Sequence, residues 1–376
     1  MVALGIDFGT STTVAALCSA GNVTFLSTTD EEEVVPSFVA FLPNGSVEVG
    51  SKARSRRMID ADNTVQAFKR IIGKPWFSKE VRDYRQHYGC RFEQGPENMP
   101  QFITRVGKLT AVEITGYLLN HLRESPSLTD VTLNAVTLSV PVSFTQEQQQ
   151  AIRNAAARAG WHDVSLIDEP CAAAIAHTQN VTGDETVFVY DLGGGTFDTA
   201  ILACRHGAYE VLAVGGDASL GGDDIDMRCS RWAAKQILEN YRWDVQTSKT
   251  NFQQLIYKCE HAKILLSMTD HQDLDLASID PVLSGTHLRL ERSRVEKLCE
   301  DLLQRTFLLC DDTLRRANMT TRNIDRVVLS GGGCYMPVVR QGIEQYFEQA
   351  PHVPNQPDRL VAIGAALHAQ QACEGR

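Results

Sequence analysis

The sequence lacks most of the features that mark special classes of protein. Its ten cysteines, at 18, 90, 171, 204, 229, 259, 299, 310, 334 and 373, form no C-x-x-C pair. That excludes the usual zinc-ribbon and thioredoxin-type spacings. Several fall inside apolar runs, as small core residues would. We therefore expect reduced thiols, no disulfides and a cytoplasmic protein. No apolar run approaches the roughly 18 residues of a membrane span. The opening Met-Val-Ala-Leu-Gly-Ile-Asp has no basic leader region, so no signal peptide is expected. An excess of positive charge is also missing. The 36 Lys and Arg stand against 46 Asp and Glu, a net charge of −10. This argues against nucleic acid or an anionic membrane as the main partner. No low-complexity linker interrupts the chain. What remains is 376 residues with a 43% hydrophobic share, enough for two domains or lobes with full cores.

The most informative stretch runs from Thr186 to Leu202. An apolar run ends in Asp191, the glycines Gly193, Gly194 and Gly195 follow, and Thr196, Phe197 and Asp198 lead into a second run. This predicts strand, glycine turn, strand. Glycines tolerate φ > 0 and carry no side chain, so the turn's N–H groups can close on a phosphate. A carboxylate at the strand end can hold a hydrated Mg²⁺ beside it. Walker and Rossmann loops differ, because their glycines open a helix. An ordinary flexible hairpin is the bland alternative.

The same phrase occurs near the N-terminus. Asp7, Gly9, Thr12 and Ala16 precede Asp191, Gly193, Thr196 and Ala200 by 184 residues each. Val136-Thr-Leu-Ser-Val-Pro matches Val327-Val-Leu-Ser-Gly-Gly at an offset of 191, and the Ala-rich phrases after Asp168 and Asp358 match at 190. Three matches at nearly one offset point to an internal duplication, with each half facing its twin across a cleft. Chance likeness of short strand–turn–helix phrases is the competing explanation.

Two insertions separate the shared pieces. The first spans about 31–120. It should hold a β-rich start over 36–50, a basic helix over 63–73, a polar excursion over 79–100 and a helix over 110–123. The second spans about 222–305 and should be mostly helical, with a hairpin near 273–290. Helix 252–267 places Leu255, Ile256, Cys259, Ala262 and Leu266 on one face. Glu260, Lys263 and Ser267 stand on the other, where a solvated salt-bridged face is the plain reading.

Together, Gly5-Ile-Asp-Phe-Gly-Thr, the phrase 63–73, Ser139-Val-Pro, Asp168-Glu-Pro, Asp191-Leu-Gly-Gly-Gly-Thr-Phe-Asp, the phrase 215–226 and Leu329-Ser-Gly-Gly-Gly resemble the nucleotide-binding domain of the 70-kilodalton heat-shock (DnaK-like) chaperones. These belong to the actin-like ATPase superfamily. The resemblance spans nearly the whole chain, in family order. It implies an α/β fold of two duplicated actin-like, ribonuclease H-like lobes around a nucleotide cleft, each with an inserted subdomain. Lobe I would be 1–183 and lobe II 184–376, with no counterpart of the family's peptide-binding domain.

The resemblance also implies roles. Gly9, Thr10, Ser11, Thr12, Gly193, Gly194, Gly195, Thr196 and Gly222 would hold the phosphates of ATP or ADP. Asp7 and Asp191 would hold Mg²⁺, with K⁺ as a further ion. Lys69 would reach the γ-phosphate and the attacking water, and Glu169, Thr196 and Asp198 would orient or activate that water. Taken singly, Lys69 reads as a surface salt bridge and Glu169 as a helix N-terminal carboxylate. Glu260, Lys263, Ser267, Gly331, Gly332, Tyr335 and Asp358 would meet the ribose and adenine. The family's adenine-bracketing arginines are replaced by Ile264 and Tyr335, and an arginine of its relay to the interdomain linker by Gln149, while the hinge Pro141 remains. The expected function is a slow Mg²⁺-dependent ATPase whose lobe closure controls a protein partner or co-chaperone. The alternatives are a nucleotide-dependent binding module with little hydrolysis, a small-molecule kinase or phosphatase of the same superfamily, and an actin-like filament.

Overall fold

The computed structural model describes residues 1–178, 183–205 and 208–374. Two sheets repeat one strand order. In the first half, Val2–Phe8 runs antiparallel to Thr12–Ser19, which pairs with Asn22–Phe25. On its other side Val2–Phe8 pairs in parallel with Leu133–Val140, and that strand with Val164–Asp168. In the second half, Glu185–Leu192 pairs with Phe197–Arg205 and that strand with Ala208–Asp217, all antiparallel. Arg326–Ser330 joins Glu185–Leu192 in parallel, and a parallel bridge from Val328 to His352 marks the fifth position. Two hairpin-linked strands, a third strand and parallel neighbours thus occur twice in the same arrangement, as the near-constant sequence offset anticipates. The fold is α/β, as the resemblance implies.

The two Ala-rich helices explain how these sheets come together. Glu169–Thr178 belongs to the first half but packs on the second sheet, while Leu360–Glu374 belongs to the second half and packs on the first. The helices also pack on each other. Small residues permit this closeness. A Cβ on Gly364 would stand 1.7 Å from the Ala172 carbonyl oxygen, and one on Gly5 would stand 2.0 Å from the Ala366 nitrogen. Val14, Ala16, Ala173, Val189, Ala200 and Ala366 share the resulting buried core. Each half has a further core of its own. This exchange brings the N-termini of both helices, with Glu169 and Asp358, toward one cleft.

The inserted segments follow the sequence reading in part. Strands Phe38–Phe41 and Val47–Val49 form the β-rich start. Helix Ala111–Arg123 begins at a capping box of Thr110 and Glu113. Helices Gly222–Tyr241 and Lys249–Leu265 and the hairpin His271–Asp275/His287–Glu291 make up most of the second insertion. One expectation fails. The segment 63–73 is not a helix but a strand, Thr64–Gln66, followed by one 3₁₀ turn, Phe68–Ile71. Ala67 between them is left-handed, at φ 51°, and β-branched Thr64 and Val65 favour the strand. The polar stretch 79–100 is ordered, with helix Lys79–His87 capped by Ser78 and strand Phe92–Gln94. A cluster of Tyr84, Tyr88, Phe92 and Phe102 rings accounts for that order.

Nine of the ten cysteines are buried, as expected of small core residues, and Cys373 is partly exposed. Among the described residues, no helix is long and apolar enough to cross a membrane.

Candidate functional site

Strand ends place the acidic groups. Asp7 and Asp191 occupy equivalent positions at the ends of the two first strands, and Asp198 starts the return strand opposite Asp191. Glu169 enters from the N-terminus of its helix. Lys69 arrives on the 3₁₀ turn and donates to Glu169 Oε1 at 2.5 Å, with both side chains buried. The Thr196 hydroxyl faces the other oxygen, Glu169 Oε2, at 3.5 Å. Ser139 donates to Asp7 Oδ1 at 2.9 Å, and the Val142 N–H donates to Asp198 Oδ1 at 2.9 Å. Lys69 is therefore not a surface salt-bridge residue, whereas Glu169 does open a helix.

Four carboxyl groups thus converge on one lysine. Burial, and then the Glu169 carboxylate, push Asp7 up to about 7. The same two causes hold Asp191 and Asp198 well above the usual carboxylate range. Asp198 Oδ2 and Thr10 Oγ1 are buried with no hydrogen-bond partner among the described residues. An all-oxygen donor set with surplus negative charge and unpartnered atoms suits a hard divalent cation. Asp7 and Asp191 are the strand-end groups that could hold it.

Asp7, Lys69, Glu169, Asp191 and Thr196 line an open cleft together with Gly9, Thr10, Ser11, Thr12, Gly193, Gly194, Gly331, Gly332 and Asp358, and Asp198 lies outside this lining. The two glycine turns meet across it. A Cβ on Gly194 would stand 2.0 Å from Ser11 Oγ, and one on Gly195 would stand 2.5 Å from Thr10 Cγ2. Neither glycine has a positive φ. Close approach, not left-handed backbone, is what demands glycine here, which corrects the conformational argument made from sequence. Gly222 closes the wall by donating its N–H to the Gly193 carbonyl at 3.0 Å.

Of the residues assigned to the adenosine side, Gly331, Gly332 and Asp358 line that cleft, whereas Glu260, Lys263, Ser267 and Tyr335 do not. Glu260 accepts from Arg54 Nη2 and Arg57 Nη2, each at 2.7 Å. Burial opposes ionisation of Glu260, but Arg57 and Arg54 outweigh it and hold the group below its ordinary range. Lys263 donates to Asp226 Oδ2 at 2.7 Å and to the Gly222 carbonyl at 3.1 Å. Ser267 lines a separate small cleft with Lys263, Arg292 and Met336. The face carrying Glu260 and Lys263 is a junction between the insertions, not a solvated surface. Tyr335 donates to Asp358 Oδ1 at 2.9 Å, and the Arg340 guanidinium lies 6.0 Å from its ring. Ile264 is half exposed. Gln149 turns back toward the Phe144 carbonyl at 3.5 Å.

Sequence reasoning missed several participants. Arg54, Arg57 and Arg70 reach across from the first insertion, and Arg70 meets both Asp224 oxygens, at 2.9 and 3.2 Å. The Ser11 hydroxyl donates to Asp223 Oδ1 at 2.8 Å. The run of basic residues at 52–57 carried the only local hint. No pattern of spacing points from it to a partner some 200 residues away.

Comparison with known proteins shows the family. Residues 3–372 match the family model described as Hsp70 protein. The chain is 34% identical over 370 residues to the chaperone protein HscA of Pectobacterium atrosepticum, covering 98% of this chain and 58% of that protein. It is 35% identical over 370 residues to the chaperone protein HscA homolog of Azotobacter vinelandii, covering 98% and 57%. The chain thus spans under three-fifths of the length of these relatives.

Proposed function

The chain belongs to the Hsp70 family, and we propose that it is a slow Mg²⁺-dependent ATPase acting in the cleft between the two glycine turns. The observation that carries this reading is the buried Lys69–Glu169 pair set among Asp7, Asp191 and Asp198. Such a cluster is unfavourable in a protein interior unless it has a cationic or catalytic task.

The N–H groups of the turns after Asp7 and Asp191 would cradle the phosphates, with hydroxyl contacts from Thr10 and Thr196. Asp7 and Asp191 would hold Mg²⁺, which when bound supplies charge neutralisation on the phosphates. Glu169, Thr196 and Asp198 would orient one water in line with the γ-phosphate. The water oxygen bonds to the γ-phosphorus as the bond to the bridging oxygen breaks. Its proton passes to a carboxylate, and ADP keeps the bond electrons. Lys69 would stabilise charge on the transferring group.

Gly331, Gly332, Asp358 and Tyr335 form the wall toward the ribose and base. Glu260, Lys263 and Ser267 would contribute once Glu260 and Lys263 exchange their present partners. We read 1–183 and 184–376 as lobes that close on ATP and loosen on ADP. The Asp198 carboxylate, bonded to the N–H just after Pro141, offers a route for that signal. A protein partner or co-chaperone would sense the difference, in the cytoplasm.

The test is Lys69→Ala. Phosphate release should fall by about a hundredfold or more, and a wild-type rate would contradict the assignment.

A second reading is a nucleotide-dependent binding module with little hydrolysis. The commitment of Glu260 and Lys263 to protein partners, with Ile264 and Tyr335 in place of the arginines, favours it. Calorimetry showing tight ADP binding without turnover would select it.

A further inference from the structure

Both sheets end in the same pair of side chains. In the first, Asp7 closes strand Val2–Phe8, and Ser139 stands beside it on the parallel strand Leu133–Val140, donating at 2.9 Å. In the second, Asp191 lies in register with Ser330 on the parallel strand Arg326–Ser330, so that the Ser330 hydroxyl stands beside the carboxyl and favours its ionised form. Both serines are fully buried. The residues before them, Leu138 and Leu329, are fully buried apolar side chains. Packing alone would be met by an apolar side chain at the serine positions too. A buried hydroxyl needs a partner: the Asp7 carboxylate supplies it for Ser139, and Ser330 stands between the Pro357 carbonyl and the Asp191 carboxyl on the neighbouring strand.

The arrangement constrains the acids. A carboxylate at a strand end, with its neighbours repelling it, can rotate about its side-chain bonds. A hydroxyl fixed on the adjacent strand holds one oxygen and leaves the other oxygen for a ligand. The Ser330 hydroxyl donates to the Pro357 carbonyl at 3.5 Å. That contact also ties the second dyad to the loop before Asp358.

We propose that Ser139 and Ser330 are a matched pair of positioning residues, each aiming one of the two strand-end carboxylates at a shared divalent cation. The inference rests on the nucleotide reading above and adds to it that cation affinity depends on two residues that never touch the cation. Partners of this kind typically contribute about 10- to 100-fold to metal affinity.

The experiment is a Mg²⁺ titration of the full chain in the presence of a fluorescent ADP analogue. The readout is the Mg²⁺ concentration at half-maximal retention of nucleotide, beside the melting temperature of each variant. Ser139→Ala and Ser330→Ala should each raise the midpoint by about tenfold or more. The double variant should raise it further, and Ser139→Thr and Ser330→Thr, which keep the hydroxyl, should restore it. A merely structural role would lower the melting temperature and leave the midpoint alone. Midpoints equal to wild type in the alanine variants overturn the inference by themselves. A wild-type chain whose nucleotide binding ignores Mg²⁺ overturns the nucleotide reading and this inference with it.

Discussion

Arg57 donates to Glu260 at 2.7 Å across the junction of the two inserted segments, and Arg57 itself is only 3% exposed. Arg54 grips the other Glu260 oxygen. Neutral contacts reinforce them. Gln66 Nε2 donates to Gln253 Oε1 at 2.9 Å, and Gln254 Nε2 donates to the Met58 carbonyl at 2.8 Å. Both guanidinium groups also lie over the Tyr257 ring. This is a network around one carboxylate, not an isolated ion pair. Removing the carboxylate strands Arg57 in a buried setting. Glu260→Gln should therefore speed release of a bound fluorescent nucleotide by at least about tenfold. Release from wild type should accelerate with salt, and release from the variant should not. Equal rates would show that the junction does not gate the cleft.

A second expectation concerns pH. Asp7 and Asp226 are raised to about 7, each first by burial, and burial also raises Asp191 and Asp198 well above the usual carboxylate range. A folded-state value above the unfolded one means that the folded chain keeps a proton the unfolded chain has lost. Stability should then fall as pH rises toward and through the folded value. His87, His121, His352 and His368 are shifted down, mainly by burial, and act in the opposite sense only below their ordinary value of 6.5. In EDTA without nucleotide, the melting temperature should decline from about pH 6.5 to about pH 8. Mg²⁺ with ADP should flatten the decline, because bound cation takes the place of the protons. A melting temperature that rises over this range would contradict the assignment.

The contact between the Ala-rich helices makes a stability prediction. Gly364 sits where any Cβ would overlap the Ala172 carbonyl, and both sides of that contact are backbone. Gly364→Ala should destabilise the fold by about 3 kcal/mol, read from urea denaturation. A change below about 1 kcal/mol would mean that the helices can part easily.

Tyr335 offers a local test of the base wall. Its ring is 40% exposed and its hydroxyl is anchored to Asp358. If adenine stacks there, Tyr335→Ala should weaken ADP binding roughly 2- to 10-fold by calorimetry. Tyr335→Arg should retain or improve it. No loss in the alanine variant would move the base elsewhere.

The relation between sequence and structure is uneven, for physical reasons. The repeated strand–turn phrases were legible because alternating apolar residues and glycines act locally. Their offsets near 184 and 191 anticipated two sheets of one strand order. The Ala-rich phrases repeat visibly, but the exchange of their helices between the sheets is not legible, since it is decided by partners far along the chain. Segment 63–73 misled because Lys69 and Arg70 resemble an exposed helical face. Both are in fact drawn inward, to Glu169 and Asp224. Glu260 and Lys263 were placed on the right helix. Their present partners, Arg57 and Asp226, could not be inferred from periodicity, which says which face is polar but not what covers it.

The central claim is tested most directly by phosphate release from ATP with Mg²⁺ and no acceptor, comparing the wild-type chain with Asp191→Ala. The account predicts slow, measurable turnover in wild type that is lost in the variant while the fold is retained. Equal turnover in both chains, or turnover only when a sugar acceptor is added, would contradict it.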